Sequence, residues 1–306
     1  MKTVALFLLL VIGLIFHLPP AFAFDQRADD LLRQAREAIG GVDSLQKIQS
    51  LYIKGQYRRV LGDREMAGDR EISIMLPDKY LAEDSFSQGG LSTAVTITRG
   101  LNGEKAWNGT SGGMGGGIIF KMGAPGGQQA TPEQMEAIFR KQNGLEYARY
   151  LLSTLLTPPP SLTVQYTYAG ESDVEDSHAE VIDVSGPDNF AVRLFFDKQT
   201  HLPLLLSYRA RKPRIFTAFA KSTDSHSRSE DVKKAREGAE KKLAAEGEQK
   251  PEEVDFFIRL TEYKKVGGVL LPHKLTFLIE SEVSEEFDVT KYQLNPTFKA
   301  DKFQKN

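Results

Sequence analysis

The stretch NFAVRLFFDKQTHLPLLLSYR, residues 189–209, decides the fold. Apolar side chains occupy every second position from Val192 to Phe196, a short polar break follows at residues 197–200, and the alternation then resumes. Two alternating runs on either side of a short polar segment indicate a β-hairpin. Pro203 stands at the start of the return strand, where its missing N–H is tolerated. The stretch therefore predicts antiparallel structure.

Both faces of this hairpin are apolar, because Phe195 and Leu205 point away from the main set of apolar side chains. A sheet with one solvated face would alternate between apolar and polar residues. We therefore expect something apolar to cover part of the second face. The candidates are a helix of the same chain, a lid and a ligand.

Further short alternating segments, separated by turn signals, lie on both sides of the hairpin. They are residues 51–60, 70–76, 80–86, 93–97, 105–108, 163–168, 179–184, 255–263, 271–280 and 287–294. Closely spaced strands of this kind predict an antiparallel meander and not βαβ units. An amphipathic helix at residues 25–39, ended by Gly40-Gly41, precedes them. The fold class predicted is α+β.

Residues 131–156 form the main helical segment. A Thr-Pro pair at residue 131 is a helix start, and Asn143-Gly144 is predicted to break the helix. The second part, residues 145–156, is apolar on nearly all sides, which is typical of a buried helix. This part is the candidate cover over the sheet.

Two segments interrupt the strands. The glycine-rich segment 109–129 lacks the GxGxxG spacing and the following Lys-Ser/Thr of nucleotide-binding loops, so we expect a flexible loop or lid. The segment 221–253 is dense in Lys, Glu, Asp and Ala, which predicts a charged insertion that is either a solvated helix or disordered.

The first 23 residues predict a secretory signal peptide. Lys2 precedes the apolar run 4–18, and a small-x-small pattern places the cleavage between Ala23 and Phe24. The run is short for a membrane span, and an uncleaved anchor is the alternative. The mature chain, residues 24–306, is predicted to be one exported domain and not an integral membrane protein.

Composition excludes several classes of protein. The chain has no cysteine, so it has no disulfide, no cysteine-ligated zinc, no thiol nucleophile and no lipid-modified cysteine. Its net charge of −2 argues against nucleic-acid binding.

No catalytic constellation stands out in the chain. His178, His201, His226 and His273 form no close pair or HExxH motif, and GxSxG is absent. The prediction is therefore no catalytic residue, no cofactor and no metal. An enzyme whose carboxylates meet only through folding stays open as a lesser alternative.

Five short motifs follow one another in a particular order. They are Leu-x-Ile-x-Gly-x-Tyr at 51–57, Pro-Asp-Lys-Tyr at 77–80, Asn-Gly-x-x-x-Trp at 102–107, Phe-Asp-x-x-Thr-x-Leu-Pro at 196–203 and Tyr-x-x-Val-x-Gly-Val-x-Leu-Pro at 263–272. With the export signal and the Gly-Gly helix end, this order resembles the LolA/LolB-like lipoprotein-carrier family of the bacterial envelope. The resemblance covers most of the mature chain.

The resemblance implies a curved antiparallel β half-barrel, with helices covering its concave face around a hydrophobic cavity for acyl chains. It also implies an inward arginine, for which Arg58, Arg59 and Arg70 are the candidates. The side chains predicted to line the apolar cavity are Ile53, Tyr57, Ile72, Ile74, Val95, Ile97, Trp107, Leu151, Leu155, Leu194, Phe196, Leu204, Leu206, Tyr208, Leu275 and Phe277.

Two functions are predicted from these features. The first is a periplasmic, non-enzymatic carrier or binder whose partner is a lipid or an acylated lipoprotein. The alternative is an envelope sensor or scaffold of the same fold that binds a protein partner, with the charged insertion 221–253 as its contact surface.

Overall fold

The computed structural model describes residues 25–61, 64–87, 94–112, 131–212 and 252–305. Within these ranges there are three α-helices, a short 3-10 turn and twelve strands. The helices are α1 (Gln26–Ala38), α2 (Val42–Gln46) and α3 (Pro132–Ser153). The strands are β1 (Ser50–Leu61), β2 (Arg64–Met75), β3 (Lys79–Ser87), β4 (Ala94–Asn102), β5 (Lys105–Ser111), β6 (Gln165–Val174), β7 (Ser177–Ser185), β8 (Ala191–Asp197), β9 (Pro203–Arg211), β10 (Glu253–Val266), β11 (Val269–Ile279) and β12 (Glu282–Leu294).

All twelve strands belong to one open antiparallel sheet in the order β5-β4-β3-β2-β1-β12-β11-β10-β9-β8-β7-β6. Most neighbours in the sheet are also neighbours in sequence, as the predicted meander requires. The exception is the central pair β1 and β12, in which Leu51 lies opposite Leu294. Consequently β5 and β6 lie at opposite edges, and the segment that contains α3 connects them.

Helix α1 begins and ends as its sequence predicts. The carboxylate of Asp25 accepts hydrogen bonds from the backbone N–H groups of Arg27 and Ala28, which satisfies donors that the helix leaves open. Gly40 follows the helix with a φ of +135°, and a Cβ there would meet the Gly268 carbonyl oxygen at 2.7 Å. The end of α1 thus packs directly on the turn between β10 and β11.

Helix α3 is one continuous helix, so the predicted break at Asn143-Gly144 is wrong. Thr131 caps its N-terminus in a capping box with Gln134. Asn143 is buried, and its side-chain amide donates toward the carbonyl oxygens of Gly100 at 2.9 Å and Trp107 at 3.2 Å. These bonds explain the presence of a poor helix former here, because Asn143 fastens α3 to β4 and β5.

The main core lies between one face of the sheet and the helices. Buried side chains of α1 and α3 join those of the inward strand positions in a single cluster, for example Leu32, Leu151, Ile72 and Phe287. The helix predicted to cover part of the sheet, residues 145–156, therefore contributes to this core. The opposite face carries two smaller clusters, centred on Trp107 and on Phe195.

Some predictions concern residues outside the described ranges. The signal peptide 1–23, nearly all of the glycine-rich segment 109–129 and nearly all of the charged insertion 221–253 lie there. Among the described residues, no helix combines the length and the apolar character that a membrane crossing requires.

Candidate ligand site between helix α3 and the sheet

Most of the sixteen side chains predicted to line the cavity meet in the main core. Members of that cluster, or side chains packed against it, are Ile53, Tyr57, Ile72, Ile74, Ile97, Leu151, Leu155, Leu194, Phe196, Leu206, Tyr208, Leu275 and Phe277. Val95 is buried but is not a member of the cluster. Trp107 and Leu204 lie on the other face of the sheet.

Trp107 packs with Leu81 and Phe303 and not with the predicted set. Its neighbour Ala106 faces the main core, and adjacent residues of a strand point to opposite faces. Gly100 leaves room for the indole, since a Cβ there would lie 2.1 Å from the ring. Trp107 is therefore a packing residue of the outer face, and the prediction that it shares a face with Ile53 is wrong.

Leu204 was expected on the same face as Leu206, but a register shift separates them. Leu206 lies opposite Leu194 and Pro203 lies opposite Phe196, so the pairing slips between these two points. A bulge of this kind reverses the facing of the extra residue. Leu206 is fully buried in the main core, and Leu204 packs with the outer cluster of Phe195.

A buried charge network adjoins the apolar side chains. Arg70 on β2 donates from Nε and Nη2 to the two carboxylate oxygens of Asp84 on β3, at 2.6 and 2.9 Å. Arg99 on β4 donates to the same carboxylate at 2.9 Å. Burial alone would raise the pKa of Asp84, but the two guanidinium groups hold it well below its usual value.

Arg70 is the inward arginine among the three candidates. It is buried, whereas the side chains of Arg58 and Arg59 are partly exposed. Its guanidinium lies 3.5 Å from the ring centre of Tyr57. Glu285 on β12 lies 3.6 Å from Arg70 and 3.3 Å from Arg59. Burial raises the pKa of Glu285, but these arginines bring it below its usual value.

The network also holds α3 against the sheet. Glu146 accepts hydrogen bonds from Arg99 Nε at 3.0 Å and from the Tyr80 hydroxyl at 2.7 Å. One residue further along, the hydroxyl of Tyr147 donates to the Pro77 carbonyl oxygen at 3.0 Å. Helix α3 is therefore fastened near its middle by polar bonds and not by apolar packing alone.

The next turn of α3 carries polar atoms with no partner among the described residues. Arg149 is partly buried, and its Nε has neither solvent nor a hydrogen-bond acceptor. Its guanidinium lies 3.5 Å from the ring centre of Tyr208, which stacks on Phe256 with ring centres 5.1 Å apart. The hydroxyl of Tyr150 is also buried without a partner. Burial lowers the pKa of Arg149 and raises that of Tyr150.

Aromatic side chains of β9 to β12 are not fully covered, and one of them, Tyr208, contacts Arg149. Tyr208, Tyr263, Phe277 and Tyr292 pack against the main core from strands β9 to β12, yet each remains partly exposed. Two of them direct their hydroxyls to backbone oxygens, Tyr263 to Pro203 at 2.8 Å and Tyr292 to Pro272 at 2.7 Å. These large rings therefore retain some exposed apolar surface.

Sequence reasoning missed Asp84, Arg99, Glu146 and Arg149. A signal was available for the strand residues, since each charge interrupts an apolar period-two series. Asp84 stands between Ala82 and Phe86, for example, and both of these are buried. The sequence carries no such signal for Arg149, because the environment of a residue on α3 depends on which strands pack against the helix.

Among the described residues, no group of three or more His, Asp or Glu side chains could hold a metal ion. His178 contacts Asp173 at 2.5 Å, but both side chains are largely exposed.

Comparisons with known proteins give matches among solved structures. A LolA superfamily protein from Nitrosomonas europaea is 10% identical, with 91% of this chain and 97% of that chain covered and a TM-score of 0.46. A DUF1329 family protein from Desulfovibrio piger is 9% identical, with 92% and 98% covered and a TM-score of 0.44. A domain described as an outer membrane lipoprotein-sorting protein, from Vibrio parahaemolyticus, is 10% identical, with 90% and 97% covered and a TM-score of 0.43.

No family model and no curated protein matches the chain. Among the solved structures that it is similar to, one is described as a LolA superfamily protein.

Proposed function

We propose that this protein is a periplasmic, non-enzymatic binder or carrier of lipids or of lipoprotein acyl chains. The acyl chain lies between α3 and the inward face of a sheet that curls into a half-barrel, with the helices on its concave side. The partly exposed aromatic side chains of β9 to β12, of which Tyr208 contacts Arg149, are the observation that carries this proposal.

The contacts of α3 support the half-barrel. The helix touches β5 through Asn143 and β9 through Arg149. These strands are eight positions apart in the sheet, which in a flat sheet corresponds to about 38 Å. The two helix residues are only about 9 Å apart along the axis. A strongly curled sheet brings both strands to one short length of helix.

Burial energetics favour an acyl chain as the occupant. Each CH₂ group removed from water contributes roughly 0.8 kcal/mol. Tyr208, Phe277 and their neighbours pack against the main core and remain partly exposed. A flexible chain can lie along such rings, because its contacts require no directional bonds.

The state of the buried ionisable groups favours binding over catalysis. Asp84 is neutralised by two guanidinium groups, so its pKa lies far below the range in which a general acid or base works. Glu285 is likewise paired with arginines. These groups are paired with arginines and do not offer a proton.

Extraction of the purified protein tests this function. The exported protein is prepared without detergent, and its organic extract is analysed by mass spectrometry beside that of an unrelated exported protein prepared in the same way. We expect a lipid enriched in the first extract, and saturable binding of a fluorescent fatty acid after its removal.

An extract without enriched lipid, from a protein that also fails to bind the probe, would contradict the proposal. That result would favour the alternative function, a sensor or scaffold with a protein partner. The surface predicted for such a partner, residues 221–253, lies almost entirely outside the described ranges.

A further inference from the structure

Arg149 is a feature of the site that an apolar chain leaves unexplained. Within the described residues, no carboxylate lies within ion-pair distance of its guanidinium, and its Nε lacks an acceptor. Its guanidinium lies 3.5 Å from the ring centre of Tyr208, which stacks on Phe256. A partly buried cation of this kind is costly unless something else pairs with it.

The neighbouring carboxylates are already committed to other partners. Glu146 lies one turn earlier on α3, but its two oxygens accept from Tyr80 and Arg99. Asp84 is shared by Arg70 and Arg99. The charge of Arg149 is therefore not matched by an ion pair of the kind that neutralises the other buried arginines.

We propose that Arg149 binds the anionic head group, a carboxylate or a phosphate, of the acyl ligand. This inference rests on the proposed function, since it assigns one end of the same ligand. The chain extends from Arg149 along the partly exposed rings of β9 to β12, and the head group accepts hydrogen bonds from the guanidinium. A planar guanidinium presents parallel N–H donors that match both kinds of anion.

Displacement of a neutral reporter tests the inference on the delipidated full-length protein. The reporter is the fluorescent methyl ester of parinaric acid. The competitors are oleate, methyl oleate and oleoyl lysophosphatidate, each below its critical micelle concentration. We expect at least one of the two anions to displace the reporter from the wild type at concentrations about 10- to 100-fold lower than methyl oleate does.

Three variants test whether Arg149 causes the preference for an anionic competitor over methyl oleate. Arg149→Gln is expected to lose the preference for the anion while it still binds the ester reporter, and Arg149→Lys is expected to retain part of it. Arg140→Gln is the matched control, because Arg140 lies on the same helix with an exposed side chain paired to Glu104. This control is expected to behave as the wild type.

The outcomes separate this inference from the function on which it rests. Wild-type protein that does not bind the reporter would overturn the proposed function, and the inference with it. Reporter binding with equal displacement by oleate, lysophosphatidate and methyl oleate would overturn the inference alone, and this comparison needs no variant. The anion whose advantage is lost in Arg149→Gln identifies a carboxylate or a phosphate head group.

Discussion

Asp84 on β3 lies directly opposite Arg70 on β2, and their side chains form a doubly hydrogen-bonded ion pair in the interior of the protein. Arg99 completes the arrangement from β4. A pair of this kind contributes little beyond its own desolvation while both partners are present, but removal of one partner leaves a buried charge uncompensated.

Asp84→Asn is therefore expected to lower the free energy of unfolding by about 3–5 kcal/mol. The measurement is urea denaturation at pH 7. Asp183→Asn is the matched control, because Asp183 also receives two hydrogen bonds from an arginine on the neighbouring strand, Arg193, but in an exposed position. Its loss is expected to cost about 0–1 kcal/mol. Equal effects of the two substitutions would contradict the role assigned to burial.

Because of the same ion pair, we expect the free energy of unfolding to depend on pH in the acidic range. The pKa of Asp84 in the folded protein lies below its usual value of 3.8, so the unfolded chain takes up the proton first as the pH falls. The stabilisation is fully present above the unfolded pKa and is lost as the pH falls toward the folded pKa. Urea denaturation between pH 7 and pH 2.5 measures it. The gap between wild type and Asp84→Asn should narrow below about pH 4, and a constant gap would contradict the assignment.

Substitution by alanine is expected to change the stability of the protein in opposite directions at two glycines. Gly100→Ala would place a Cβ 2.1 Å from the Trp107 ring, so we expect a loss of about 1–3 kcal/mol or more. Gly144→Ala, inside α3 with nothing within 4 Å of the added carbon, should stabilise the protein by about 1 kcal/mol. Thermal melting of both variants checks the pair. A gain for Gly100→Ala would mean that the indole does not lie where the structure places it.

Leu206→Trp tests the apolar site from the β9 side. Leu206 is fully buried in the main core, and we expect the larger ring to occupy space that the acyl chain needs and to weaken binding of a fluorescent fatty acid. Leu205→Trp is the control, because Leu205 packs with the cluster on the outer face. Weaker binding in both variants, or in neither, would contradict the position of the site. A melting curve of each variant shows whether it remains folded.

Period-two patterns predicted the strands well, because alternation of apolar residues is a local property of each strand. They could not predict that β1 pairs with β12, because the local sequence of a strand does not identify a partner strand so distant along the chain. The bulge at Leu204 was not predicted, because it depends on the register between β8 and β9. The continuity of α3 at Asn143 was not predicted either, because it depends on buried acceptors in the sheet. For the same reason the predicted cavity set contained the apolar side chains but not the charges among them.

The pairing of β1 with β12 has a consequence for how the protein folds. Asn295, just after β12, accepts a hydrogen bond from the backbone of Gln49, 246 positions earlier. Contacts of such separation form late, because a long loop must close before they yield any stabilisation. We expect β1 to β5 and β6 to β12 to form as two separate meanders that join last along this central seam. Premature chain termination before β12 would therefore divide the sheet through its middle instead of shortening an edge.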